Sequence, residues 1–212
     1  MALHIKTLVF NAFQVNTYVI YDQEGNCILV DPACYTSREQ EQLATFITDN
    51  NLQVQAAINT HSHIDHVLGN SFVYRRFGLK PLIHRDGLVF YDHMMSHANT
   101  FGFEIDELIY PEEFLEEGQV VKLGDEALRV RYTPGHADGS ICLVHEAGRW
   151  IVTGDLLFYL SIGRTDLPTG NLEKLLHSVR DKVFVYDDDY TLYPGHGNAT
   201  TIGYERRNNP YL

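Results

Sequence analysis

The chain has 212 residues, 44% of them hydrophobic and 21% charged, and its 16 Lys and Arg against 28 Asp and Glu leave a net charge of -12. That length suits one substantial core, read here as a single domain over residues 1–212, and the ordinary composition sets aside fibrous, low-complexity and repeat architectures. An acidic chain without a Lys/Arg cluster is a poor partner for nucleic acid or an anionic membrane, which leaves a small molecule as the expected partner.

The first strand signal runs from Leu3 to Phe10, without the basic and apolar segments of an export signal, so the expected location is the cytoplasm. Strands at Asn16 to Asp22 and Cys27 to Val30 complete a meander around the turn residues Glu24-Gly25-Asn26, and Asp31-Pro32 stops it. Thr36 and Glu39 have capping-box spacing and open a helix that turns Leu43, Phe46 and Ile47 to one face and ends near Asn50-Asn51. A short strand from Val54 to Asn59, a helix from Phe72 to Phe77 and a strand from Pro81 to His84 follow, so the first half alternates β and α. Residues 85–118 break the rhythm and are expected to form a helical or loop excursion over a site mouth, a plain surface elaboration being the alternative. Strands at Val120 to Leu123, Leu128 to Thr133, Ile141 to His145 and Trp150 to Thr153 then precede a helix with Leu172, Leu175, Leu176 and Val179 on one face, and Thr191 to Tyr193 is the last strand. Three cysteines without Cys-x-x-Cys spacing, Cys27, Cys34 and Cys142, are expected to stay unpaired.

Chemistry concentrates directly after the strand that ends at Asn59. His61, His63, Asp65 and His66 put four metal-competent side chains within six residues, and imidazole with carboxylate suits zinc and its first-row neighbours. Three further candidates each follow a β-rich run and a glycine: His136 in TPGH, Asp155 in VTGD and His196 in YPGH. Glycine at those points lets the backbone turn and approach closely, and ligands at strand ends stand on a rigid scaffold. Five imidazoles and two carboxylates suffice for two divalent ions with open positions, Zn being favoured over Fe or Mn. With one bridging hydroxide the centre would carry about +1, enough to draw an anionic substrate, and the hydroxide favours hydrolysis. The remaining histidines read differently. His93 and His97 have i, i+4 spacing but no third ligand nearby, and His4, His84, His145 and His177 read as strand-end or surface residues.

These segments, THSHIDH at 60–66, TPGHADGS at 133–140, VTGDLLF at 152–158 and YPGHGNAT at 193–200, resemble the metallo-β-lactamase superfamily, in order and across most of the chain. The resemblance implies a four-layer αββα sandwich of the α/β class. It implies His61, His63 and His136 on one ion, Asp65, His66 and His196 on the other, and Asp155 bridging. Within the superfamily the chain is most similar to glyoxalase II, the hydroxyacylglutathione hydrolases, and especially to short bacterial relatives that share segments like SIGRTD at 161–166 and TTIGYE at 200–205. Full-length glyoxalase II adds a helical C-terminal domain with glutathione contacts, whereas few residues follow His196 here.

The expected reaction is hydrolysis of a thioester such as S-lactoylglutathione by a metal-bridging hydroxide, with Asp65 and Asp155 orienting that hydroxide as well as binding metal. Arg164 is the candidate for holding a substrate carboxylate, an ion pair with Asp166 being the alternative. Two rival readings follow from the same residues. The Gly163-Arg164-Thr165-Asp166 segment is also similar to the persulfide dioxygenase branch, in which His61, His136 and Asp155 would hold a single iron. A noncatalytic metal-binding module would require closed coordination, for which thiolate ligands would be more typical.

Overall fold

A computed structural model describes residues 3–212; Met1 and Ala2 lie outside the described residues. The first sheet begins as an antiparallel meander of β1 (His4–Phe10), β2 (Val15–Tyr21) and β3 (Asn26–Val30). The helix α1 (Ser37–Asp49) opens on the expected capping box. Thr36 Oγ1 accepts from the Glu39 amide, and the Glu39 carboxylate accepts from the Thr36 amide. Two orphan amides at the helix start are thereby satisfied.

The chain then crosses to β4 (Gln53–Ile58), parallel to β3, passes through the short helices α2 (Ile64–Val67) and α3 (Asn70–Phe77), and adds β5 (Pro81–His84) parallel to β4. Residues Arg85–His93 form a 3-10 helix that leads into α4 (Met94–Thr100), and β6 (Phe114–Leu115) closes the sheet at its far edge. The excursion is therefore helical in its first half. It lies against the site, because the Phe90 ring meets the His63 ring edge-on at 5.0 Å between centroids.

The second sheet is an antiparallel run of β7 (Val120–Leu123), β8 (Glu126–Tyr132), β9 (Ile141–His145) and β10 (Trp150–Gly154). After the small hairpin of β11 (Leu157–Phe158) and β12 (Ser161–Ile162), the helix α5 (Leu172–Ser178) widens into a π-turn over Val179–Val183. Val179, the last residue of the expected apolar face, sits in that wider turn and is still buried with Leu175. The strand β13 (Thr191–Pro194) pairs parallel with β10, and β14 (Thr200–Thr201) and α6 (Ile202–Asn208) complete the described chain.

The layers follow from the two-residue period of a strand. On β2 and β3, Tyr18, Ile20, Ile28 and Val30 point to a central core shared with Leu128, Val130, Ile141, Leu143 and Val152 of the second sheet. Their alternates Val15, Val19, Cys27 and Leu29 face outward onto Leu43 and Ile47 of α1 and Val73 of α3. Cys142, Val144 and Ile151 do the same on the other side against Leu175, Val179 and Ile202. Helix, sheet, sheet and helix thus stack in four layers around three apolar seams, the αββα sandwich of the α/β class. The three cysteines are free and buried in these seams, and burial pushes each thiol up to about 12. No helix among the described residues is long and apolar enough to cross a membrane.

Candidate metal centre

Both sheets end at the same place. His61 follows the C-terminal end of β4, His63 is the extended residue that caps α2, and Asp65 and His66 are carried on its single turn. From the other sheet, His136 comes in the loop between β8 and β9, Asp155 directly after β10, and His196 shortly after β13. All seven side chains named from the sequence converge. Their donor atoms form three overlapping groups: His61, His63 and His136; His61, His66 and Asp155; and Asp65, His66 and His196.

The separations are those of ligands around cations. His136 Nε2 lies 2.9 Å from His63 Nδ1 and 3.5 Å from Asp155 Oδ2. His66 Nε2 lies 3.3 Å from His196 Nε2, 3.4 Å from Asp155 Oδ1 and 3.6 Å from Asp65 Oδ2. His196 Nε2 is 3.4 Å from Asp65 Oδ2 and 3.5 Å from Asp155 Oδ2. Donors about 2.1 Å from a tetrahedral ion stand roughly 3.4 Å from one another. Two buried atoms, His61 Nε2 and Asp155 Oδ1, have no hydrogen-bond partner at all. An unpaired polar atom in a dry interior costs about 1–3 kcal/mol, so atoms left unpaired while aimed at the same small volume fit a metal.

The outward nitrogens are held as firmly. His61 Nδ1 meets Thr60 Oγ1 at 3.1 Å and His66 Nδ1 meets Asp31 Oδ2 at 2.9 Å. His136 Nδ1 donates to the Arg164 carbonyl at 2.8 Å, and His196 Nδ1 donates to the Phe13 carbonyl at 2.9 Å. Each contact leaves Nε2 facing the centre, the tautomer a metal ligand needs. Asp31 is itself fixed, since its two carboxylate oxygens accept from the Thr60 amide and hydroxyl, both at 2.7 Å. The glycines preceding the ligands leave room for the approach. A Cβ at Gly195 would collide with Asp155 Oδ1, and at Gly135 (φ 134°) it would strike the backbone of Leu175.

Burial divides the electrostatics into two kinds. Burial, reinforced by the neighbouring imidazoles, lowers His61 well below the ordinary histidine range and His63 to about 3, so both are neutral. For His66 burial acts in the same direction, but Asp155, Asp31 and Asp65 outweigh it and raise the group well above that range. His196, despite its burial, is raised to about 10 by Asp155 and Asp65. Against their own burial, both carboxylates are held below their usual range by these histidines. The cluster thus presents neutral imidazoles at His61 and His63 and ionised carboxylates beside proton-holding imidazoles at His66 and His196, a set that can hold divalent metal once those protons leave.

Arg164 sits differently. Its guanidinium makes a bidentate pair with Asp166, at 2.9 and 2.8 Å, on a side chain that is 67% exposed, and its contact with the centre is through the backbone carbonyl that orients His136. His93 and His97 lie on and beside α4 with rings 6.3 Å apart, outside every donor group of the described residues. Two partners carry no ligand motif in the sequence: Asp31, which reads there only as a strand stop, and the carbonyl of Phe13. The one signal for Asp31 was a carboxylate directly at the C-terminal end of a parallel strand.

Comparison with known proteins agrees with this geometry. Residues 10–196 match the metallo-beta-lactamase superfamily. The chain belongs to that superfamily. It is 34% identical to the hydroxyacylglutathione hydrolase GloC of Haemophilus influenzae, over 99% of this chain and 98% of that protein. Among solved structures it is similar to TTHA1623 in a di-iron-bound form, with a TM-score of 0.87 and 30% identity over 98% of this chain and 100% of that one. It is also similar to the BLEG-1 B3 metallo-beta-lactamase, with a TM-score of 0.86 and 28% identity over 99% of each chain.

Proposed function

We propose that this chain is a binuclear metallohydrolase that cleaves a thioester of the S-lactoylglutathione type, acting as one domain in the cytoplasm on a small anionic substrate. The observation that carries the reading is Asp155, whose Oδ2 stands 3.5 Å from both His136 Nε2 and His196 Nε2 and whose buried Oδ1 makes no hydrogen bond and lies 3.4 Å from His66 Nε2. A carboxylate that near to both donor groups would be shared by both ions. The 34% identity to a hydroxyacylglutathione hydrolase supports the substrate class, and the relative solved with two irons supports a two-ion centre.

His61, His63 and His136 would hold one ion, Asp65, His66 and His196 the other, with Asp155 shared and Zn favoured over Fe or Mn. Bound there, two such ions supply a hydroxide nucleophile at neutral pH and positive charge for the carbonyl oxygen. The protein contributes position and charge. Asp65, with 14% of its side chain exposed, would accept a hydrogen bond from the attacking water and help direct it at the carbonyl carbon. Asp31, Thr60 and the carbonyls of Arg164 and Phe13 prevent the imidazoles from rotating while charge develops. Arg164 reaches a substrate carboxylate only by exchanging its Asp166 partner, an inexpensive exchange at an exposed pair.

Metal content and S-lactoylglutathione cleavage, measured on the same purified sample, test the reading. Near two Zn, Fe or Mn per chain with thioester turnover is the expected result. A single iron with oxygen uptake on glutathione persulfide would replace it with a dioxygenase, and a metal-replete protein inert to thioesters, esters and lactones would leave only a binding module.

A further inference from the structure

The seven donors differ in how far they reach solvent. The His196 side chain is 27% exposed, against 14% for Asp65, 11% for Asp155, 5% for His136 and 0% for His66, with His61 buried and His63 half-buried, so the centre is open beside His196. One aromatic ring stands directly at that opening, and two more belong to or pack on the loop that holds His196. Phe158 approaches the His196 ring at 6.1 Å between centroids. Phe13, the residue whose carbonyl holds His196, is 42% exposed, meets Phe101 edge-on at 5.6 Å and lies 5.7 Å from the buried Phe103; Phe101 is itself 54% exposed.

An exposed phenylalanine on a floppy loop would signify little, but this loop is fixed. Asn11 and Gln14 both adopt positive φ, 53° and 57°, a region that Asn enters readily and Gln uncommonly. Asn11 Nδ2 donates to the carbonyls of Asp65 at 2.9 Å and Ala33 at 3.0 Å. Its amide donates to Glu39 Oε1 at 2.7 Å, and the Phe13 amide donates to Asn11 Oδ1 at 2.9 Å. The loop is thus tied to Asp65 on one side and His196 on the other, and it holds an apolar ring in water at the mouth of a charged centre. Apolar area kept exposed on a rigid mount is what a ligand would cover.

Resting on the hydrolase reading above, we infer that Phe13, Phe101 and Phe158 form an apolar subsite beside His196, and that the substrate carries a hydrophobic arm there, an aliphatic or aromatic acyl or thiol chain. The arm's burial against the rings adds binding that a short polar thioester lacks.

Two matched substrate series test this on the metal-loaded protein: one lengthens the acyl group from acetyl to octanoyl on a fixed small thiol, the other lengthens the thiol under a fixed acetyl group. The wild type is expected to prefer the longer chain in at least one series by kcat/KM. Phe13→Ser, a change at an exposed side chain that keeps the backbone carbonyl to His196, is expected to cut that preference about tenfold, mainly through KM. Phe101→Ser should act in the same direction by less. Val185→Ser is the control, because Val185 is 60% exposed in the segment before β13, at the opposite end of that strand from His196. No chain-length preference in either series, or an undiminished one in Phe13→Ser, overturns the inference. If no thioester is cleaved the hydrolase reading falls, and calorimetry with octanoate and octanethiol against acetate and ethanethiol judges the subsite alone. Tighter binding of the long compounds, lost in Phe13→Ser, supports it, and equal binding overturns it.

Discussion

The two halves of the metal centre are built from the same residue types and behave differently. His61, His63 and His136 are an all-imidazole group in which burial keeps His61 and His63 neutral. Asp65, His66 and His196 include a carboxylate, lie nearer solvent at His196, and have Asp31 behind them, so both histidines are pulled toward the protonated form. The first group is ready for a cation as folded. The second holds protons in a cation's place, and an ion entering it must displace them.

Removing the shared ligand should have the largest effect on this contrast. Asp155→Ala takes a donor from both groups, and turnover is expected to fall about a thousandfold or more, with metal content below two per chain by elemental analysis. Substantial activity in a variant that still holds two ions would overturn the bridging assignment. Asp31→Asn comes next and sharpens the comparison, because His66 is the one donor residue it contacts directly, while His61 is reached only through Thr60. Affinity for one of the two ions is expected to fall about 10- to 100-fold in a chelator competition while the other is unchanged. Equal weakening of both ions would mean that Asp31 supports the fold rather than one ligand.

The smallest effect is the pH dependence. Because His196 is raised to about 10 in the metal-free fold, it carries a proton at neutral pH, and the second ion should bind more tightly as pH rises, by up to about tenfold per unit for each proton displaced. The first ion should show a flatter profile, because His63 is already deprotonated above about 3. The sign for the empty protein is opposite. The stabilisation from the His196 proton is full below the unfolded histidine pKa and is lost as pH climbs through about 10. Identical slopes for the two ions between about pH 6 and 9 would erase the distinction between the groups.

What could be read in the sequence was whatever is local. The six residues from His61 to His66, the glycine before His136, Asp155 and His196, and the Thr36 and Glu39 capping box all announce themselves within one turn or strand, and each sits in the structure where its context placed it. Strand ends moved by a residue or two, as at Glu126–Tyr132 and Val15–Tyr21, where pairing rather than composition decides the boundary. The contacts that orient the imidazoles were not readable. Asp31 meets His66 across 35 residues and Phe13 meets His196 across 183; a carboxylate at a strand end is the one local mark of the first, and nothing local marks the second. The π-turn at Val179 was hidden for a related reason, since widening by one residue leaves the apolar face almost unchanged.

Each sheet is drawn from one unbroken stretch of chain, residues 4–115 for the first and 120–201 for the second. The donors therefore come in two instalments, four from the first stretch and three from the second, and neither instalment completes a group by itself. His61 and His63 wait for His136, and Asp65 and His66 wait for His196. A chain severed in the exposed Glu116 to Gln119 linker would give two fragments that each lack an intact chelating set. Metal capture by such a pair would then be a reporter of reassembly, visible only when the two sheets have closed on each other.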